Sequence, residues 1–161
     1  MQQQVDELYS LLVPLNQMRL IVPRPCIVEV VRYLKATAAE SGPSWYRGLV
    51  DWNRLKVPVV CFEDLCGSES IEPGPRTRVA IFHAISGILE TGVFGILTQG
   101  FPQLLRVNRE VMEPADRHAW PQDGPVICQI RMINEYPIIP DLEHIEHLIQ
   151  EQLTEASATV A

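Results

Sequence analysis

The fold of this chain turns on the stretch Trp45-Tyr46-Arg47-Gly48-Leu49-Val50-Asp51-Trp52-Asn53-Arg54-Leu55-Lys56-Val57-Pro58-Val59-Val60-Cys61-Phe62. Two runs rich in aliphatic and aromatic residues, Trp45 to Trp52 and Leu55 to Phe62, flank the polar pair Asn53-Arg54. Such residues suit a pleated, half-buried surface, and two runs across a short polar link predict paired strands. Pro58 lies inside the second run. It cannot donate a ladder hydrogen bond, so that strand is expected at a sheet edge or bulged there.

The same pattern extends in both directions. Leu8 to Val13 and Met18 to Val22 are apolar runs around Pro14-Leu15-Asn16-Gln17, which reads as a hairpin. Cys26 to Leu34 carries the β-branched run Ile27, Val28, Val30 and Val31, interrupted by Glu29 and Arg32. The small, polar stretch 35–44 is a connection, and 67–77, with Pro73-Gly74-Pro75, is a loop. Arg78 to Ile85 alternates, with Val79, Ile81, His83 and Ile85 on one side. Strands are further expected over Val93 to Thr98, Leu104 to Val107, Val126 to Ile133 and Tyr136 to Ile139, with a long polar excursion over 108–125. A helix comes last: Asp141 is the expected N-cap, and Leu142, Ile145, Ile149 and Leu153 recur at spacings of three and four. About ten short strands and one terminal helix predict a mainly β chain built as a pair of small barrels.

Composition narrows the function. The chain has 161 residues, 47% hydrophobic and 20% charged, which suits a globular domain with a core of its own. Thirteen Lys and Arg stand against 20 Asp and Glu, for a net charge of −7. Binding to nucleic acid draws on clustered basic residues that neutralise phosphate, and an anionic membrane surface asks for the same, so neither partner is expected. Apolar runs break within about ten residues, short of the ~20 that span a bilayer, so no direct membrane insertion is expected. Met1-Gln2-Gln3-Gln4 lacks the basic and apolar regions of a secretory signal, and the expected location is cytoplasmic. Cys26, Cys61, Cys66 and Cys128 read as reduced structural thiols in that compartment.

The central hairpin, extended to Pro43 and Glu63, resembles the signature of CheW-like domains. That signature runs Pro, a few residues, Gly, two aliphatics, Asn-Leu-Arg-Gly, a short spacer, then Pro-Val-Ile/Val-Asp-Leu. Gly48, Leu49, Val50, Pro58, Val59, Val60 and Phe62 fall in register with it. Ile27-Val28-Glu29-Val30 is similar to the family's Val-x-Glu-Ile strand, Gly95-Ile96-Leu97-Thr98-Gln99 to its Gly-Leu-Leu-Val-Asp strand, and 134–142 to its closing hairpin and last helix. The resemblance covers about residues 8–149, expected as one CheW-like domain of two intertwined subdomains, with 1–7 and 156–161 as flexible termini. The two tryptophans and the string Asn-Arg-Leu-Lys-Val-Pro-Val look closest to adaptors of type IV pilus (twitching motility) chemosensory systems.

The resemblance implies two small five-stranded SH3-like barrels sharing a core, plus a C-terminal α-helix. It implies no enzyme and no cofactor. The expected function is that of an adaptor, or scaffold, that couples the tip of a methyl-accepting chemoreceptor to the regulatory domain of a CheA-like histidine kinase. Partner-contact candidates carried over in this way are Ile27, Glu29, Gly48, Val50, Asp51, Trp52, Asn53, Arg54 and Gln99. Some positions depart from the pattern. The receptor-contacting Arg of the family falls on Asn53, its Gly on Arg54, its Asn on Asp51, its Asp of the later strand on Gln99, and its Asp before the short helical turn on Cys61.

Other readings are weaker. A small-barrel module for ligands or nucleic acid could stack bases on aromatics, but the charge opposes it. Cys61 and Cys66, four residues apart by intervening count, leave no obvious second pair for zinc, and His83 reads as a satisfied core histidine. A hydrolase of Cys61, His83 and Asp64 lacks any surrounding signature. His144 and His147 alternate with acids on the last helix, where Glu143, Glu146, Glu151 and Glu155 read as a solvated face. Gly87 and Gly92-Val93-Phe94-Gly95 lack the helix start of a phosphate loop and read as turn and strand glycines.

Overall fold

The computed structural model of the chain describes residues 8–33, 42–68, 72–108, 112–115, 120, 124–132 and 134–159. The N-terminal segment 1–7, most of the 35–44 connection, and parts of the 67–77 loop and the 108–125 excursion lie outside the described residues.

Strands β1 (Leu8–Pro14) and β2 (Arg19–Pro23) form the first expected hairpin, its turn closed by Leu15 N–H donating to Met18 O at 2.9 Å. A 3-10 turn, Arg24–Cys26, leads into β3 (Ile27–Arg32). The central hairpin is β4 (Tyr46–Trp52) and β5 (Leu55–Val60), and a short helix α1 (Phe62–Leu65) follows it. Next come β6 (Arg78–His83), β7 (Val93–Thr98), β8 (Gln103–Val107), β9 (Glu113–Pro114), β10 (Val126–Arg131), β11 (Ile138–Pro140) and helix α2 (Leu142–Thr159). The backbone of α2 runs on through Thr159, into the segment expected as a flexible terminus.

The strands divide between two sheets, one in the order β8-β1-β2-β11-β10-β9 and one in the order β3-β6-β7-β5-β4. The first has six strands because the two-residue β9 adds beside β10, and nothing so short and proline-bearing carries a readable period. Alternation along the inner strands explains the core. Side chains of a strand point to opposite faces, and both faces of β6 and β7 are covered. Val79, Ile81, Val93 and Leu97 turn into a pocket of the second sheet with Val50, Val57, Val59 and Cys61. Ala80, Phe82, Phe94 and Ile96 turn the other way and meet Val13, Leu20, Val22, Ile138 and the α2 stripe Leu142, Ile145 and Ile149. Phe82 and Phe94 are register partners whose rings stack at 5.5 Å between centroids. On the first sheet, Ile21, Val107 and Ile130 gather in an interior of their own. Two small barrels thus share one large core, capped by α2. Asp141 holds the helix start, accepting from His144 N–H at 3.1 Å.

Gly95 sits where β7 is squeezed between β6 and β5. A Cβ there would lie 2.6 Å from Val79 Cγ1 and 3.1 Å from Val59 Cγ2, so only glycine fits without displacement.

Three expectations are corrected. Strand β5 is not an edge: β4 lies on one side and β7 on the other. The proline is accommodated because the parallel ladder to β7 takes Val59 and Val60, just past Pro58. Counting outward from the turn, Leu49↔Pro58 also falls on a pair of β4 and β5 that exchanges no hydrogen bonds. The bulge lies on β4, between Tyr46 and Gly48. His83 is exposed rather than in the core, because β6 ends there and its last residue emerges from between the flanking strands. Glu146 is fully buried, not part of a solvated face.

Candidate functional site

The β4–β5 turn carries the positions at which the sequence departs from its family pattern. Trp52 and Leu55 are register partners, so two residues close the hairpin. Asn53 and Arg54 both have positive φ, 48° and 64°. Two consecutive left-handed residues make the turn whose twist matches the flanking strands, and Asn is at ease in that region while Arg is not. At the other end of β4, Gly48 takes φ 96° at the bulge, a conformation open to glycine.

Trp52 joins this hairpin to the far side of its sheet. Its indole Nε1–H donates to Glu29 Oε2 at 2.8 Å. Glu29 is on β3 and Trp52 on β4, the two outermost strands of the five-stranded order, so the bond closes the sheet on itself. Val31 and Tyr33 from the β3 side, and Trp52 and Leu55 from the β4–β5 hairpin, pack on the same interior cluster. Closure leaves the turn standing on a fixed rim.

The expected contact residues separate into groups. Glu29, Asp51, Asn53 and Arg54 are exposed, and Trp52 and Ile27 are half-buried. Asp51 is ion-paired with its register partner Lys56. Gly48 and Val50 are buried and support the hairpin from inside. Gln99 is not brought to the turn. The parallel register Val59↔Gly95 places Gln99 four residues beyond Gly95, at the opposite end of the strand pair from Asn53 and Arg54. There its backbone N–H donates to Pro14 O at 2.8 Å, tying the two barrels together.

Sequence reading missed the polar joint beneath the hairpin. Arg47, at the β4 bulge, donates from Nη2 to Asp64 Oδ2 at 3.0 Å, and the Asp64 side chain is 2% exposed. Glu63 beside it is buried, and burial pushes its carboxyl above the ordinary range, only partly offset by backbone N–H donors of its own residue and of Asn16. Burial likewise raises the Cys61 thiol, and it carries the Cys66 thiol to about 12, with the charges of Glu63 and Cys61 adding to the rise. Thiols held protonated in this way are the opposite of an activated nucleophile, and the exposed His83 is no partner for one. The opposite charges at 47 and 64 share no local spacing, so no pattern marks them as a pair.

Glu146 was also missed. Its carboxylate accepts from Ile85 N–H at 3.0 and 3.1 Å, Ser86 N–H at 3.2 Å and Ser86 Oγ–H at 2.8 Å. Among the described residues, no group of three or more His, Cys, Asp and Glu could hold a metal ion, and no helix is long and apolar enough to cross a membrane.

A second exposed surface lies on the first barrel. Tyr9 and Leu104 are 45% and 49% exposed on one face of the neighbouring strands β1 and β8; Phe101, before β8, is separately exposed at 66%. The Arg106 guanidinium lies over the Tyr9 ring at 5.5 Å and that of Arg78 over Phe101 at 5.4 Å.

Comparison with known proteins agrees with this architecture. In solved structures the fold is similar to that of the scaffolding protein TtCheW from Thermoanaerobacter tengcongensis, with a TM-score of 0.68 at 13% identity over 83% of this chain and 88% of that one. No curated protein matches by sequence. A model of the CheW-like domain matches residues 10–148. The chain belongs to the CheW-like domain family.

Proposed function

We propose that this chain is a non-enzymatic adaptor of chemotaxis-type signal transduction, coupling a methyl-accepting chemoreceptor tip to the regulatory domain of a CheA-like histidine kinase. The observation that carries this reading is the family match over residues 10–148, nearly the whole of both barrels. The domain is taken as residues 8–149, working in the cytoplasm and recruited to receptor arrays. Two exposed surfaces suit a protein that joins two partners: the rim of the second barrel around Trp52, and the face of β1 and β8 that carries Tyr9 and Leu104 on the first. The finer assignment, to control of type IV pili and twitching motility, rests on the likeness of the Asn53 to Val59 string to adaptors of those systems.

Calorimetric titration with the regulatory domain of the kinase from the same cell tests the reading. Micromolar or tighter binding, about −8 kcal/mol or better, is expected. A folded sample that shows no heat of binding would overturn it.

A further inference from the structure

Arg32 on β3 and Arg78 on β6 are register partners, and Thr98 on β7 is the next residue in the same row across the sheet. Side chains directly opposite on paired strands leave the same face, about 5 Å apart at Cβ. Two cations therefore stand side by side with no carboxylate in their row. Like charges so placed destabilise a sheet. The nearest acid on β3, Glu29, is taken by the Trp52 indole. Arg32 is exposed on an outermost strand, and among the described residues no ion pair or hydrogen bond engages it. Arg76, two residues before Arg78, is likewise exposed and unpaired among the described residues.

The corner is built rather than loose. Arg78 Nη1 donates to Pro75 O and Thr77 O, both at 3.0 Å, and its guanidinium lies over the Phe101 ring at 5.4 Å. Phe101 is 66% exposed, yet its loop is tied down: Gln99 N–H donates to Pro14 O, and Thr98 Oγ1 donates to Gly100 O, each at 2.8 Å. Ala80 and Phe82, two and four residues along β6, turn into the shared core. By strand alternation Arg32 and Arg78 share that face, at its open end where the barrels meet. The parallel register Val59↔Gly95 sets Thr98, and the row with it, at the far end of the sheet from Asn53 and Arg54. None of the contact candidates carried over from the family belongs to this corner.

We propose that the corner of Arg32, Arg78 and Phe101 docks an acidic polypeptide segment, one carboxylate between the two arginines and a neighbouring apolar side chain on the Phe101 ring. Charge complementarity carries the choice of occupant. A guanidinium presents a planar fork that matches a carboxylate, and a carboxylate between two of them turns their repulsion into attraction. The exposed ring adds apolar contact beside it. The arginines are few and the chain carries a net charge of −7, so the extended phosphate contacts of a nucleic acid or an anionic membrane have no counterpart here. The contact lies beyond the receptor and kinase coupling proposed above and does not depend on it.

Fluorescence anisotropy of a short labelled peptide of alternating Glu and Leu, titrated with the full chain at low salt, tests it. Saturable binding is expected, and none to the same peptide with Gln in place of Glu. Arg32→Glu replaces the like pair with an unlike one. Its melting temperature should rise by about 2 °C while affinity for the peptide falls about tenfold or more. A merely structural residue would not move stability and binding in opposite directions. Arg32→Ala serves the same comparison should the glutamate variant misfold, and Phe101→Ser should weaken binding about threefold or more through lost apolar contact alone. Equal binding of the Glu and Gln peptides, or wild-type binding by both Arg32 variants, would overturn the proposal. So would displacement of the peptide by inorganic phosphate as readily as by unlabelled peptide, or tighter binding to a DNA oligonucleotide. Sedimentation of the chain alone that shows self-association abolished by Arg32→Glu would give the corner to a second copy instead.

Discussion

The indole N–H of Trp52 and the carboxylate of Glu29, 2.8 Å apart, join the two outermost strands of a five-stranded sheet. The bond is long-range in sequence and lies at an exposed rim, where water competes for both groups. Its net worth is therefore that of an ordinary charge-assisted bond, about 1 kcal/mol. Trp52→Phe keeps most of the apolar surface and removes the donor, and Glu29→Gln removes the charge. A double-mutant cycle in urea unfolding should give a coupling between them of about 0.5–1.5 kcal/mol. A coupling of zero would mean that packing of Val31, Tyr33 and Leu55 closes the barrel unaided.

Much of this architecture was legible. Hairpins, the helix cap at Asp141 and the apolar stripe of α2 are local, and local chemistry writes them into neighbouring residues. What escaped depended on partners distant in sequence. The β4 bulge absorbs an extra residue, Arg47, whose reason for being there is Asp64. Pro58 read as an edge signal, because whether a strand has a neighbour on each side is a property of the sheet. The exposed and buried members of the candidate site could not be sorted until the turn was known to be left-handed at both residues. Gln99 is a contact candidate by family resemblance on the later strand, and how far it lies from the turn could not be read from sequence: the parallel pairing of β5 and β7 sets it at the other end.

Glu146 is the clearest instance. It lies four residues after Leu142 and three before Ile149, so the helical period puts it on the buried stripe. Residue type suggested solvent instead, because the donors that satisfy it come from Ile85 and Ser86, some sixty positions earlier. Glu146→Ala leaves those donors unpaired in the interior and should cost about 3 kcal/mol or more. Glu146→Gln keeps one acceptor and should cost less, about 1–2 kcal/mol, and Ser86→Ala about 1 kcal/mol. Urea midpoints at constant slope check all three. Equal, small losses for the two Glu146 variants would show that water reaches the site.

Glu63 gives the protein a specific dependence on pH. The group is 3% exposed, and burial is the main cause of its raised pKa, followed by the lowering effect of backbone donors and a further rise from Asp64. In the unfolded chain it titrates near its ordinary 4.5. Between that value and the higher folded one, the folded state keeps a proton that the unfolded state has lost. Stability from this group therefore falls as pH rises through the window, at about 1.4 kcal/mol per unit of separation, and levels off above the folded pKa. Glu63→Gln removes the titration while retaining an acceptor for the Asn16 N–H. The variant should be more stable than the wild type at neutral pH, with the advantage shrinking towards pH 4.5 as the native carboxyl protonates. Urea unfolding across that range reads the difference directly. A wild type no more pH-sensitive than the variant, or a variant less stable at neutral pH, would mean that the joint between α1 and the β1–β2 turn needs the charge of Glu63 rather than merely tolerating it.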